Sequence, residues 1–192
     1  MKLNLPNKLT MFRIFMVPVF LIVAVALPLE DTLSRIISAA VFIITALTDM
    51  LDGKIARKYG LITDFGKFMD PLADKFIVFA ALLAILVKFD YLTDVFIWAA
   101  AIVMFRELAV TSVRLVAAGK EGMVIAASWL GKVKTVTQMV CIVAVFLEPV
   151  LFPFAFVEKY HPLSYLTIAA MTVMTLWSGI DYIKTYWKFI KP

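Results

Sequence analysis

Long apolar runs follow one another along almost the whole of this sequence, and they restrict the fold more than any other feature. Of its 192 residues, 63% are hydrophobic and only 17% are charged. A water-soluble domain of this length does not carry so apolar a composition, because too much apolar surface would remain in contact with water. The sequence therefore predicts an all-α integral membrane protein.

The apolar runs predict six transmembrane helices. They cover residues 14–29, 36–48, 76–87, 95–105, 135–147 and 162–180. Several are shorter than the roughly 20 residues that a helix needs to cross the hydrocarbon core. Charged segments at one end complete three of them, at residues 49–58, 106–114 and 132–134. Because charges in membrane helices normally face a bundle interior or a wet cavity, we expect a polar cavity open to one side of the membrane.

The basic residues predict which side that is. If successive loops alternate across the bilayer, all of the 19 Lys and Arg residues fall on one side except Arg35, Lys88 and Lys159. An excess of Lys and Arg marks the cytoplasmic side. We therefore expect both termini and the cavity to face the cytoplasm, in the cell membrane. Cleavage of a signal peptide near residues 24–26 is the alternative, but the run 14–29 is longer than the ~7–15 residues usual for such a segment.

The remaining patterns bear on domain organisation and loops. Segment 1–13 mixes polar and apolar residues and is predicted to lie in the membrane interface before the first span. No repeat or long linker divides the chain, so residues 1–192 are predicted to form one membrane-embedded domain. Gly60 as a helix C-cap and Asp70-Pro71 as a helix start predict a cytoplasmic turn over residues 60–67. Cys141 is the only cysteine, which excludes an internal disulfide and a cysteine-based metal site.

Carboxylates flank this predicted turn at regular helical spacing: Asp49, Asp52, Asp70 and Asp74. The first two share one face of the second helix with Gly53 and Ala56, and the last two share a face of the third helix. A short turn makes the two helices antiparallel neighbours, so the carboxylates converge. The small residues between them leave room for a ligand against the backbone.

Carboxylates gathered in this way need cations. Two unit charges about 4 Å apart repel by around 4 kcal/mol at an effective dielectric near 20. A purely structural network would match acids with bases, but the nearest bases, Lys54, Arg57 and Lys75, are fewer than the aspartates. Aspartate oxygens suit Mg²⁺ or Mn²⁺, and two such ions clamp a pyrophosphate. The pattern predicts phosphoryl-type transfer assisted by two divalent ions.

The whole string D-x2-D-G-x2-A-R-x8-G-x3-D-x3-D is present, and it resembles the signature of the CDP-alcohol phosphatidyltransferase family. The resemblance implies a six-helix membrane fold, usually dimeric, with a cytoplasm-facing site where a CDP-linked lipid meets an alcohol. It implies that Asp49, Asp52 and Asp70 bind metal together with Asp74, and that Asp74 is also the general base. It assigns the cytidine diphosphate to Asp52, Gly53, Ala56 and Arg57, with Asn7 and Thr10.

Similarity beyond the motif covers residues 4–13, 63–75 and 131–135 and includes Arg106, Glu107, Arg114 and Gln138. It implies that CDP-diacylglycerol reacts with glycerol 3-phosphate to give phosphatidylglycerol phosphate and CMP. A dianionic acceptor needs a fixed cationic pocket. The candidates for that pocket are Lys75, Arg106, Arg114, Lys132 and Lys134. For Lys184, Lys188 and Lys191, attraction to anionic lipid headgroups is the simpler explanation.

Other functions stay open at this stage. With the same chemistry, the acceptor is alternatively phosphatidylglycerol, inositol phosphate or serine. A different class, a divalent-cation transporter with aspartate ligands, is disfavoured because transporter sites lie near the midplane, whereas these aspartates lie at helix ends. The predicted partners are the two substrates, the lipid bilayer and a second copy of the chain. No nucleic-acid partner is predicted.

Overall fold

The computed structural model describes residues 4–59, 63–121 and 128–190, and leaves aside the side chains of residues 50–59, 64, 67, 115–121 and 188–190 within the helices. The described residues form helices and no strands. In chain order these are α1 (Leu5–Leu21), which continues as a π-helical segment (Ile22–Ala26), α2 (Asp31–Tyr59), α3 (Asp64–Lys88), α4 (Thr93–Glu121), α5 (Trp129–Leu151), α6 (Ala155–Tyr160) and α7 (Pro162–Ile190). The prediction of an all-α fold is confirmed.

The long helices make the chain a multi-pass membrane protein. Within the described residues, 5 helical segments are long and apolar enough to cross a bilayer: Leu5–Ala26, Asp31–Asp49, Asp90–Arg114, Trp129–Leu151 and Pro162–Trp187. Helix α3 has 25 residues but also contains Asp70, Asp74 and Lys75, which lower its apolar character. The count of six spans stays a prediction.

Two helix boundaries differ from those that the sequence suggested. Helix α3 begins at Asp64, so residues 60–67 are not all turn, and Pro71 lies inside the helix. The reason is the cap: Thr63 is extended and its Oγ1 accepts a hydrogen bond from the Gly66 backbone N–H at 3.0 Å, which satisfies a donor of the first turn. Helix α1 runs without a break from Leu5 to Leu21, so no turn separates the predicted interfacial segment 1–13 from the first span.

The helices pack around an apolar core that contains several aromatic rings in contact with one another. Helix α7 lies against α4 and α5, and α1 lies against α2 and α3. Phe146 makes edge-to-face contacts with Phe20 and Phe89, with ring centroids 5.9 and 5.3 Å apart. Such geometry is favoured between aromatic rings. The two ends of the bundle, on either side of this core, carry different polar groups. The aspartate end is the one with Asp49, Asp70 and Asp74.

At the opposite end, a buried carboxylate caps helix α7. Glu148 on α5 is 1% exposed and accepts hydrogen bonds from the backbone N–H groups of Leu163 and Ser164 at 2.6 and 2.9 Å. The Ser164 hydroxyl also donates to it. These are first-turn donors that the helix itself cannot satisfy, and a negative charge is favoured beside a helix N-terminus. Glu148 thus ties α5 to the start of α7.

We expect Glu148→Ala to destabilise the protein without a direct effect on the aspartate end. Loss of a charged acceptor leaves buried N–H groups unpaired, which costs about 2 to 3 kcal/mol. The measurement is the thermal midpoint of the purified protein in detergent, with Glu158→Ala as the matched control because Glu158 is exposed. An unchanged midpoint for Glu148→Ala would show that the cap contributes little.

Candidate active site

Helix α1 presents a buried polar face to α3. Asn4 caps the helix by accepting a hydrogen bond from the Asn7 backbone N–H at 3.1 Å. Asn7, Thr10 and Arg13 are all buried, and their spacing of three places them on one side of the helix. Buried polar groups are costly unless they are paired, so this face needs partners on neighbouring helices.

Arg13 supplies the strongest of these contacts. Its side chain is 1% exposed, Nη1 forms an ion pair with Oδ1 of Asp49, and Nη2 lies 3.6 Å from Oδ1 of Asp70. The Thr10 hydroxyl also lies 2.6 Å from Oδ1 of Asp70. One guanidinium therefore joins α1 to the aspartates of α2 and of α3. This confirms that the helices carrying Asp49 and Asp70 are neighbours at one end of the bundle.

Gly66 lets α1 approach the first turn of α3. A Cβ at this position would lie 3.2 Å from Oδ1 of Asn7, 3.3 Å from Oγ1 of Thr63 and 3.6 Å from Oδ2 of Asp70. The Thr63 hydroxyl meanwhile lies 2.9 Å from Oδ1 of Asn7. Any side chain here would push on the cap and on Asn7, and through them on Asp70. The small residue is required by this close approach.

We expect Gly66→Ala to reduce activity while leaving the fold intact. Alanine favours a helix over glycine by up to about 1 kcal/mol, so the thermal midpoint should not fall. A shift of a few tenths of an ångström near Asp70 should lower turnover about tenfold, since misplacement by 1 Å costs roughly a hundredfold.

Gly131→Ala is the matched control for this change. Gly131 occupies the same position after the cap of α5, where its backbone N–H donates to the Ser128 hydroxyl at 3.1 Å. A Cβ there would lie 3.4 Å from Ser128 Oγ and 3.8 Å from Arg106 Nη2, which are ordinary contacts. Equal activity in the two alanine variants would contradict the argument for Gly66.

Asp74 lies beside a small polar cavity between α3, α4 and α5. The cavity has a volume of about 30 Å³ and is lined by Asp74, Lys75, Val78, Phe79, Glu107, Lys134, Thr135 and Gln138. Space of this size admits one water molecule or one hydroxyl group. Asp74 itself is exposed, whereas Lys134 and Gln138 are each 3% exposed. A carboxylate thus faces a polar compartment that fits a single alcohol oxygen.

Glu107 forms ion pairs with two basic side chains beside that cavity. Its Oε1 accepts a hydrogen bond from Arg106 Nη1 at 2.8 Å and also pairs with Lys134 Nζ. The Arg106 stem passes over helix α7 at Gly179, where a Cβ would come within 3.1 Å of Cγ of Arg106. Charge-assisted bonds of this kind fix direction as well as position. The arrangement leaves a net positive charge next to Asp74, as an anionic acceptor requires.

The predicted basic residues divide into two groups. Lys75, Arg106 and Lys134 lie at or beside the Asp74 cavity. Arg114 instead donates from Nε to the Tyr182 hydroxyl at 3.0 Å and stacks over that ring, and Lys132 is exposed. The structure therefore brings only part of the predicted pocket to Asp74.

Several predicted site residues fall outside the described side chains. These residues all belong to helix α2: Asp52, Gly53, Ala56 and Arg57. Asn7 and Thr10 pair with Thr63 and Asp70, and their contact with cytidine diphosphate stays a prediction.

The carboxylates fit divalent cations in their chemistry. The side chains of Asp49 and Asp70 remain 37% and 51% exposed although they share the buried Arg13, so oxygen lone pairs are left for other ligands. Oxygen donors of this type suit Mg²⁺ and Mn²⁺. Among the described residues, no group of three acidic, histidine or cysteine side chains is close enough to hold an ion; Asp52 lies outside this set.

Sequence reasoning did not assign a role to three residues that the structure places in the site: Arg13, Glu107 and Gln138. The first two carried a usable signal, since charged residues within membrane helices tend to be functional. The signal for Gln138 was weaker: it follows Lys134 by one helical turn and so lies on the same face of the helix. Their partners lie on other helices and are not visible in the local pattern.

Known proteins are similar to this chain over most of its length. A family model described as CDP-alcohol phosphatidyltransferase matches residues 3–180. A CDP-diacylglycerol–glycerol-3-phosphate 3-phosphatidyltransferase of Bacillus subtilis is 41% identical, with 98% of this chain and 97% of that protein covered. The Escherichia coli K12 protein of the same name is 36% identical over 95% of this chain and 94% of its own. A probable phosphatidylglycerophosphate synthase of Mycobacterium tuberculosis is 38% identical, with coverage of 94% and 80%.

Proposed function

Because the chain belongs to the CDP-alcohol phosphatidyltransferase family, we propose that it transfers the phosphatidyl group of CDP-diacylglycerol to sn-glycerol 3-phosphate. The products are phosphatidylglycerol phosphate and CMP. The observation that carries the proposal is the juxtaposition of Asp74 with the Glu107–Lys134 pair at the aspartate end. The names of relatives covered over most of their length support the same acceptor.

Enzymes of this family generally depend on divalent metals. We propose that Asp49, Asp52, Asp70 and Asp74 hold two such ions, Mg²⁺ or Mn²⁺. When bound, the ions neutralise the diphosphate and stabilise the negative charge that develops on the leaving CMP. The exposed oxygens of Asp49 and Asp70 support this assignment.

The chain's own residues accept the proton and hold the acceptor phosphate during the reaction. Asp74 accepts the proton of the primary hydroxyl of glycerol 3-phosphate, whose oxygen forms a bond to the phosphorus that bears diacylglycerol. The bond between that phosphorus and the oxygen of CMP breaks, and CMP leaves with the electron pair. Arg106, Lys134 and Lys75 hold the acceptor phosphate near the cavity.

The cytidine diphosphate is assigned to α2, at Asp52, Gly53, Ala56 and Arg57, as the family motif implies. Asn7 and Thr10 on α1 complete the assignment. They lie against the start of α3, where Asn7 accepts a hydrogen bond from the cap residue Thr63 and Thr10 donates one to Asp70.

The cellular setting is part of the same proposal. The residues act as one membrane-embedded domain in the cell membrane, with both termini and the aspartate end facing the cytoplasm. The functional unit is a homodimer. The concentration of Lys and Arg on one side of the predicted spans supports the orientation.

The test is CMP release by the purified protein supplied with CDP-diacylglycerol and Mg²⁺ or Mn²⁺. Glycerol 3-phosphate, phosphatidylglycerol, inositol phosphate and serine are offered in separate reactions. Release with glycerol 3-phosphate alone is the expected result. Release with another alcohol would keep the family chemistry and overturn the acceptor, and release with none would overturn the proposed reaction.

A further inference from the structure

The buried amide nitrogen of Gln138 is without a hydrogen-bond partner in the part of the chain that the structure describes. The residue lies on α5, is 3% exposed and lines the Asp74 cavity. Among the described residues its Nε2 has no hydrogen-bond partner. A buried amide N–H without a partner costs free energy, so this group calls for a ligand in the cavity.

The cavity also offers an acceptor opposite this donor. Arg106 and Lys134 both bind Oε1 of Glu107, so these two cations do not use the lone pairs of Oε2. Thr135, which also lines the cavity, already donates its hydroxyl to the Gly131 carbonyl at 3.0 Å. Besides Asp74 and the ammonium groups of Lys75 and Lys134, the cavity thus offers a ligand an amide donor and a carboxylate acceptor, in a space of about 30 Å³.

A hydroxyl group is the ligand that matches these two groups. It accepts one hydrogen bond and donates another, whereas an ammonium group only donates and has no lone pair for the N–H group of Gln138 Nε2. Glycerol 3-phosphate carries a hydroxyl on the carbon next to its reacting primary alcohol. Serine carries an ammonium group at the corresponding carbon.

We propose that Gln138 is a specificity-determining residue, which together with Glu107 binds the secondary hydroxyl of the acceptor in the Asp74 cavity. This inference rests on the proposed function. The secondary hydroxyl fills this space, the primary hydroxyl lies outside it at the exposed carboxylate of Asp74, and the phosphate extends toward Arg106 and Lys134. An acceptor that lacks the secondary hydroxyl leaves the amide and the carboxylate unpaired and reacts more slowly.

The experiment compares two acceptors that differ by one oxygen. Purified wild-type protein with CDP-diacylglycerol and Mg²⁺ is given glycerol 3-phosphate or 3-hydroxypropyl phosphate, and kcat/KM is measured from CMP release. We expect the wild type to prefer glycerol 3-phosphate by about 10- to 100-fold, as an unpaired buried group predicts. In Gln138→Leu the preference should fall several-fold, because the secondary hydroxyl of glycerol 3-phosphate loses one of its two hydrogen bonds and keeps the one to Glu107.

Two further variants separate recognition from packing. Thr135→Val changes a polar residue of the same cavity whose hydroxyl is already used, and it should keep the wild-type preference. Gln138→Glu keeps the shape but replaces the donor by an acceptor, so it should lower the preference even if Gln138→Leu does not fold.

Each outcome either supports or overturns the role proposed for Gln138. A wild-type enzyme that uses both acceptors equally well overturns the inference, as does an undiminished preference in Gln138→Glu. A variant that slows both acceptors by the same factor assigns Gln138 a purely structural role. Absence of CMP release by the wild type with glycerol 3-phosphate would instead overturn the proposed function.

Discussion

Asp70→Asn is expected to lose CMP release and divalent-ion binding together, with activity lower by at least about a thousandfold. Metal ions in such sites supply several kcal/mol of charge stabilisation, and each 1.4 kcal/mol is a factor of ten in rate. Asparagine keeps the shape of the side chain but removes the anionic oxygen that lies 2.6 Å from Thr10 Oγ1. Turnover with both substrates saturating and Mn²⁺ binding, followed by paramagnetic resonance, are measured on the same preparation.

Asp94→Asn makes the same chemical change at the opposite end of the bundle, where Asp94 is exposed in the first turn of α4. It should retain wild-type activity and Mn²⁺ binding. Asp49→Asn should behave like Asp70→Asn, since both aspartates face Arg13. Full activity of the wild type in excess chelator, or normal Mn²⁺ binding by an inactive Asp70→Asn protein, would contradict the assignment of Asp70 as a metal ligand.

The fold class followed from the sequence because the bilayer imposes a strong and local requirement. A spanning helix must be apolar over about 20 residues, and such runs are visible without knowledge of their neighbours. The start of α3 was harder. Asp70-Pro71 has the chemistry of a helix start, but the cap at Thr63, supported from α1 by Asn7, begins the helix earlier and leaves Pro71 inside it.

The aspartates of the site were predictable for a related reason. Residues three or four apart on a helix share a face, so the spacing of Asp70 and Asp74 is informative by itself. The contacts that organise the site are not local: Arg13 and Asp49 are 36 residues apart, and Glu107 and Lys134 are 27 apart. Arg114 shows the converse: its charge made it a candidate for the acceptor pocket, but the residue that it contacts, Tyr182 on α7, could not be read from the local sequence.

Arg13 explains how several aspartates are held close together in the folded chain. A buried charge without a partner is strongly destabilising, and Arg13, 1% exposed, is compensated by the α2 and α3 aspartates. The same pairing reduces the repulsion between Asp49 and Asp70. Helix α1 therefore contributes to the geometry of a site whose signature lies entirely in α2 and α3.

Asp74→Asn is expected to lower kcat by about 10² to 10⁴ with smaller changes in the KM values of both substrates. Proton transfer by a positioned side chain contributes a factor of this size, and asparagine cannot accept the proton of the attacking hydroxyl. The change preserves the shape of the cavity wall that Asp74 shares with Glu107 and Gln138, so the acceptor should still bind. The measurement is steady-state CMP release with each substrate varied in turn.

The concentration of Mn²⁺ distinguishes a general base from a residue that serves only as a metal ligand. If Asp74 acts only as a ligand, its replacement weakens metal binding, and saturating Mn²⁺ restores kcat. If Asp74 is also the base, kcat stays low at every Mn²⁺ concentration, because added metal does not replace the proton acceptor. Near-normal kcat for Asp74→Asn with both substrates and Mn²⁺ saturating would exclude Asp74 as the base, and Glu107 would then be the carboxylate of the same cavity to test.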